Sequence, residues 1–596
     1  MINSKAILIS AIVAIGVSIF FQIAYAQTAD QAPCFGNPLW LASHSEVYHR
    51  VMQLRSLKQK HFPEQPVQSA STQSFVEGDV SNNDATQNET TLAISQSDPK
   101  TIVIGANDDS MLVLGMPAYT SFDGGSTWQT IRVPADIPSG AKSFGDPIIV
   151  ADAHGGFYYS FLVFDTSRLF AITNISDVMV AHSDDGHQWS LCRSVLGKMK
   201  LDSGFEDKEI IAIDNDPNSK FFGRVYVEWN HLVNQSIDSA TRTVTISGVY
   251  PWFSWSDDGG KTWSNPHIAD TLLSFFPVIR VGKNGVLFLG GSDAYNRFSL
   301  LVSHNGGDTF ARYPISDYQE YPLQSNRGFG LKGDTGFRAM AYMSFDVDQK
   351  DNTLHVVYGT WDNSLQSAAL YYTRSQTEGV SWSTPDRIST AGREYLDHFF
   401  PWVCTDPVNG ATYASFYSSE SDSKNLDVEL ATATLPQTTT VRAVSTLFDP
   451  LSIVDYFGDH FIGDYIGSDA CNGTYAVAWT ENRPGRQDAD IFAYVSSGGS
   501  SAVHQVNAPG YSIGNPYPNP VATNTADLEI FSKEDAFASV QLADPSGRIV
   551  LRSTVQIHGG EMGKISVDSQ HLPNGVYHIV VSISGQLVEK NLVVLH

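Results

Sequence analysis

Ser254–Trp263 reads SWSDDGGKTW: two acids, two glycines and two tryptophans between apolar runs. Taken alone it admits three readings: a sugar-cleaving carboxylate pair, a metal loop, or a turn. Relatives elsewhere in the chain decide between them. They are SFDGGSTW (Ser121 to Trp128), HSDDGHQW (His182 to Trp189), SHNGGDTF (Ser303 to Phe310) and SQTEGVSW (Ser375 to Trp382). The shared skeleton is S-x-D-x-G-x-[T/S]-W. In a hairpin the Asp accepts from backbone N–H groups, the Gly takes positive φ, and the aromatic packs beneath. Asp123, Asp184 and Asp258 are the expected turn carboxylates, and Trp128, Trp189 and Trp263 the expected packing rings. Asn305 and Thr377 replace the acid in two copies, a change that a turn tolerates and a catalytic acid does not.

Between these turns the texture from residue 88 to 505 is uniform. Apolar strands such as GDPIIVAD, EDKEIIAID and FFPWVCTD are each followed by a second strand, GFYYSFLVFD, RVYVEWN and ATYASFYSS. The unit recurs seven times at intervals of roughly 55–70 residues, the pattern of a radial array of four-stranded sheets. An all-β propeller of seven blades is expected; six blades plus an extra hairpin is the alternative.

The flanks differ. Lys5, an apolar run from Ala6 to Phe21 and the small residues Ala24 to Ala26 make a signal peptide of residues 1–26, and no later segment is apolar enough for a membrane span. Residues 27–87 are expected to form a short helix and a polar linker. Residues 511–596 alternate apolar and polar around Pro-Ser-Gly and Pro-Asn-Gly turns, the pattern of a small Ig-like antiparallel sandwich. Cys34, Cys192, Cys404 and Cys471 are widely spaced and suggest no zinc site, while export leaves disulfide pairing open. The net charge of -26 excludes nucleic acid as a natural partner.

The repeated turn resembles the Asp box, or BNR repeat, of the sialidase-like superfamily, over about residues 88 to 505. The resemblance implies structural turns remote from a substrate face at the propeller axis, where the innermost strands begin. Glu89, Asp146, Asp207, Arg338, Asp397 and Asp464 lie at such strand starts, with Arg393, Tyr395 and Asp459 close by. In that superfamily three arginines clamp a substrate carboxylate, a Tyr paired with a Glu is the nucleophile, and an Asp is the acid/base. Carried onto this chain, Arg280, Arg338 and Arg393 would form the clamp with Asp146 beside it, and Tyr395, Asp397, Glu206 and Asp207 would be the catalytic candidates. No Phe-Arg-Ile-Pro-like opening segment is present, and the mouth is acidic, which argues against an anionic sugar. An exo-acting glycoside hydrolase of extracellular glycans is thus set beside a non-catalytic module binding glycans or surface proteins. No cofactor is expected beyond a structural Ca²⁺ held by oxygen ligands on the axis.

The C-terminal segment resembles the type A sorting domain of the type IX secretion system of Bacteroidetes-like bacteria. The matching elements are YPNP (Tyr517 to Pro520), DPSGRIV (Asp544 to Val550), LPNGVYHIVV (Leu572 to Val581) and the finish EKNLVVLH. The resemblance implies a secreted or outer-membrane surface protein, with residues 511–596 engaging the secretion machinery.

Overall fold

The structure is a computed structural model. It describes residues 75–594 apart from interior stretches, chiefly 135–141, 166–175, 198–203, 316–341 with Ala339 excepted, 389–395, 420–424, 433–439, 454–459, 483–487, 497–510 and 514–520. The signal peptide and the N-terminal helix expected from the sequence lie outside the described residues. Two units divide at Gly499/Ser500.

Seven four-stranded antiparallel sheets make the first unit. Their inner strands are Gln87–Ile94, Lys142–Ala151, Gly204–Ile213, Leu273–Val281, Met343–Val347, His398–Thr405 and Gly467–Cys471. Six sheets run outward in chain order. The seventh is completed by Phe75–Asp79, which pairs with Asp490–Ser496 as its outermost strand. The propeller therefore starts upstream of residue 88, where the sequence reading begins it. A polar stretch with too little alternation to read as a strand is recruited because the last blade needs an edge partner. Val80 N–H donates to Ile491 O at 2.8 Å, and Ile491 N–H donates to Ser81 Oγ at 3.0 Å, which extends the fastening.

Blades are apolar on both faces because each is covered on both sides. Gln87–Ile94 is buried at every position. Phe144, Ile149, Tyr159 and Phe161 of the second blade pack with Ala93, Val103 and Ala118 of the first. Inner strands are also stitched across blades: Thr91 Oγ1 accepts from Ile149 N–H (3.0 Å), Asp346 Oδ2 from Thr405 N–H (2.6 Å), and Asp469 Oδ2 from Ile94 N–H (2.8 Å).

The repeated turns lie between third and fourth strands. In the third blade Asp258 accepts from Ser256 Oγ (2.8 Å), Thr262 N–H (2.8 Å) and Thr262 Oγ1 (2.6 Å). Slight burial pushes this carboxyl up, but those bonds outweigh it and hold it down at about 2. Its neighbour Asp257 does something else, pairing through both oxygens with Arg224 Nε (2.6 Å) and Nη2 (2.9 Å). Arg224 Nη1 reaches on to Gly306 O in the next turn. Asp123 repeats the Asp258 pattern with Ser121 and Thr127. In the second blade the working acid is Asp185, not Asp184. Ser183 Oγ donates to Asp185, which also accepts from His187 N–H and Gln188 N–H, while the Asp184 side chain is 97% exposed. That turn is one residue shorter, so its register counts from Ser183 rather than His182. Asn305 reproduces the clasp, accepting from Ser303 Oγ and Thr309 N–H. Thr377 does so with a hydroxyl that accepts from Ser381 N–H. Gly307 sits at φ 97°, and a Cβ there would lie 2.3 Å from the Phe253 ring, so this position admits only glycine.

The second unit is a sandwich of a three-stranded sheet (Tyr511–Ile513, Thr525–Ser532, Met562–Asp568) and a four-stranded one. The latter runs Ile549–Ile557, Ala536–Ala543, Gly575–Ile583, Gln586–Val594. Leu528, Ile530, Val540, Leu542, Val567, Ile579 and Val581 fill its core.

Candidate functional site on the propeller axis

Five inner strands carry a β-bulge near the start, each with a non-glycine residue in the left-handed region. They are Glu89 (φ 55°), Asp146 (54°), Lys208 (49°), Phe276 (46°) and Phe400 (51°). Such backbone is uncommon for residues with a Cβ and persists where the surroundings over-determine it. The bulge turns the side chain of each strand toward its neighbours, and closing the ring brings residues far apart in sequence together.

On one half of the axis this convergence is charged. Lys208 Nζ lies 3.0 Å from Asp464, 3.2 Å from Glu89 and 3.4 Å from Asp146, and 5.0 Å from the centre of the Tyr465 ring. All four charged side chains are at least nine-tenths buried. Asn107 Nδ2 donates to Glu89 Oε2 (2.8 Å), and its Oδ1 accepts from Asp146 N–H. The other half is aromatic: Tyr342 is stacked between Phe276 (5.2 Å) and Phe400 (5.7 Å). The cavity left between the halves is about 50 Å³, room for a water or two.

The electrostatics follow from crowding. Burial disfavours the ammonium of Lys208, but Asp146, Asp464 and Glu89 together overcome this and raise its pKa well above normal. Burial and then the charge of Asp146 raise Glu89 well above the usual carboxylate range, although Lys208 pulls it down. One ammonium cannot neutralise three buried carboxylates, so the crowding favours the charged form of Lys208 and the neutral form of Glu89. Glu209 is pushed up strongly by burial and by Asp146, and neither of its oxygens has a hydrogen-bond partner among the described residues.

The residues singled out from the sequence are thus dispersed. Asp146 is spent on Lys208. Glu206 lies beneath the surface, accepting from Trp229 Nε1 at 2.6 Å and meeting His231 Nδ1 at 3.0 Å, so that it orients an indole and an imidazole. Asp207 is fully buried beside it. Asp397, also fully buried, accepts from Ala368 N–H at 2.7 Å. Arg280 is not at the mouth. It lies four residues past the bulge of its strand, at the far end of the axis, and pairs with Asp346 at 3.1 Å. Arg338, Arg393, Tyr395 and Asp459 lie outside the described residues. Among the described residues no group of three or more His, Cys, Asp or Glu side chains is placed to hold a metal ion. Lys208, which organises the site, was not anticipated; its signal was a basic residue at the register that carries Glu89 and Asp146 in the preceding blades.

Residues 515–595 match the family described as the secretion system C-terminal sorting domain. No curated protein matches the chain. Among solved structures, a Hadza microbial sialidase, Hz136, is 12% identical, with 65% of this chain and 75% of that one covered and a TM-score of 0.35. The GH93 α-L-arabinofuranosidase of Fusarium graminearum is 13% identical over 62% and 97%, with a TM-score of 0.37. The intramolecular trans-sialidase of Ruminococcus gnavus is 12% identical over 70% and 95%, with a TM-score of 0.32. These likenesses transfer no residue role. The sandwich is a sorting domain, and it directs this seven-bladed propeller through type IX secretion to the cell surface or the extracellular space.

Proposed function

We propose that the propeller is a surface or secreted binding module for extracellular glycans or surface proteins, without turnover. One observation carries this: the axial acids are consumed internally. A glycosidase needs two carboxyl groups, or a tyrosine nucleophile with its carboxyl partners, facing a common space that admits a sugar. Here Asp146, Glu89 and Asp464 surround an ammonium, and Glu206 and Asp397 serve buried donors. The repeated turns are read as Asp boxes of the BNR type, supported by the recurrence of one clasp in five blades, and residues 1–26 as a signal peptide. A fluorogenic glycoside screen that includes sialosides and α-L-arabinofuranosides, run on the full chain beside a Tyr395→Phe/Asp397→Asn double variant, tests the reading. The expected result is no release above the double variant. Release by the unaltered chain that the double variant abolishes would establish the alternative, an exo-acting hydrolase using Tyr395.

A further inference from the structure

A second cavity lies at the other end of the axis. About 380 Å³ in volume, it lies within the range of about 300–1,000 Å³ common for small-molecule sites. The far ends of all seven inner strands enclose it, and Trp402 and Ile148 line both this cavity and the small one above, so they form the partition between the two.

Its polar groups are few and placed. Arg280 Nε donates to Asp346 (3.1 Å) and Nη1 to Ile279 O (2.8 Å), while Nη2 donates to nothing among the described residues. The guanidinium stands 5.9 Å from the centre of the Trp402 ring. Asp469 faces the same space from the seventh blade; burial, only partly offset by the N–H groups of Ile94 and Ala470, raises it to about 7. Gln96 adds a neutral donor and acceptor, while Ser468, Asn215 and Gln349 line the wall with donors already turned to Cys404 Sγ, Ala151 O and Val281 O. The remainder is aliphatic wall.

We infer that this chamber is a binding site for a neutral, hydroxyl-bearing ring of monosaccharide size. The free edge of Arg280 supplies a donor to a ring hydroxyl, and Asp346 and Asp469 supply acceptors. The Trp402 indole supplies the flat apolar surface on which the C–H face of a sugar packs. Arg280 is already balanced by Asp346, and Asp469 adds negative charge only as the pH rises through its raised pKa, so an anion has no net attraction here. The site is separate from the mouth and does not depend on the reading given above for it.

Saturation-transfer NMR on the full chain tests this with D-glucose, D-galactose, D-xylose and L-arabinose, and with N-acetylneuraminic acid as the anionic comparator. Two variants accompany it. Arg280→Gln removes the free donor, and Gln96→Trp obstructs the rim from a half-buried position without touching the Arg280–Asp346 pair. At least one neutral sugar is expected to bind, and to bind at least tenfold more weakly in both variants. Glycan binding at the mouth is indifferent to Gln96→Trp, so the two readings fail separately. No binding by any of the four sugars, binding unchanged in Gln96→Trp, or equal binding of N-acetylneuraminic acid overturns the inference.

Discussion

Replacing Lys208 by Met removes the one cation among Glu89, Asp146 and Asp464 while keeping most of the side-chain volume. Breaking a buried ion pair from one side costs about 3–5 kcal/mol, because the partner is left charged and dry. Three partners at 3.0–3.4 Å place this site at the upper end of that range. The carboxylates have an escape, which is to take up protons. The folded variant then binds more protons than the unfolded chain above the ordinary carboxylate pKa, so its stability falls as pH rises, by about 1.4 kcal/mol per pH unit for each proton taken up. The unaltered chain already carries this dependence for Glu89, whose pKa is raised, while the Lys208 ammonium, with its own pKa raised, limits further proton uptake by the neighbouring carboxylates. The difference between the two proteins is therefore expected to be small at pH 5 and about 4 kcal/mol at pH 8, about 4–5 °C in Tm for a unit of several hundred residues. Tryptophan fluorescence isolates the event, since no tryptophan lies beyond Trp479. A loss below about 1 kcal/mol at pH 8, or a loss independent of pH, refutes the assignment of Lys208 as the centre of the axial charge network.

Three further outcomes are expected. Glu209→Gln removes a buried carboxyl whose raised pKa makes folding take up a proton above about pH 4.5, so the variant should gain Tm over the parent at pH 8 and not at pH 4; parallel curves would refute this. Asp258→Ala should cost about 1–2 kcal/mol in chemical denaturation, while Asp258→Asn should cost a few tenths, because Asn305 already builds the same clasp in the next blade. Deleting residues 1–81 strips the outer strand from the seventh blade; the remaining ring should lose cooperativity and aggregate in light scattering, whereas deletion of residues 1–60 should not.

The blades were legible because each repeats a local rule, the strand followed by a turn with a side-chain clasp, and local rules are written in adjacent residues. The one misreading among the turn acids was also local. Asp184 and Asp185 are chemically identical neighbours, and only the position of Ser183 relative to the shortened turn separates them. The axis was not legible in the same way. Lys208 and Glu89 are 119 positions apart, and they meet because two bulges and the ring closure aim them at one point. Arg280 shows the converse: its type matched a substrate clamp, but a few residues along a strand carry a side chain from one end of the axis to the other. Charge was misassigned where its meaning depended on height along the axis, and turn chemistry was readable because it did not.

The fastening of the seventh blade also sets a timetable. Ser81 bonds Asp490, 409 residues further on, so the first strand made is the last to find its place. At ribosomal rates of about 5–20 residues per second, that strand waits roughly 20–80 s before its partner exists. Until then the chain is a row of unclosed sheets with two open edges, short of its final stability. Ring closure is an event of the completed chain, and a polypeptide that cannot finish folding while it is being made remains threadable for that interval.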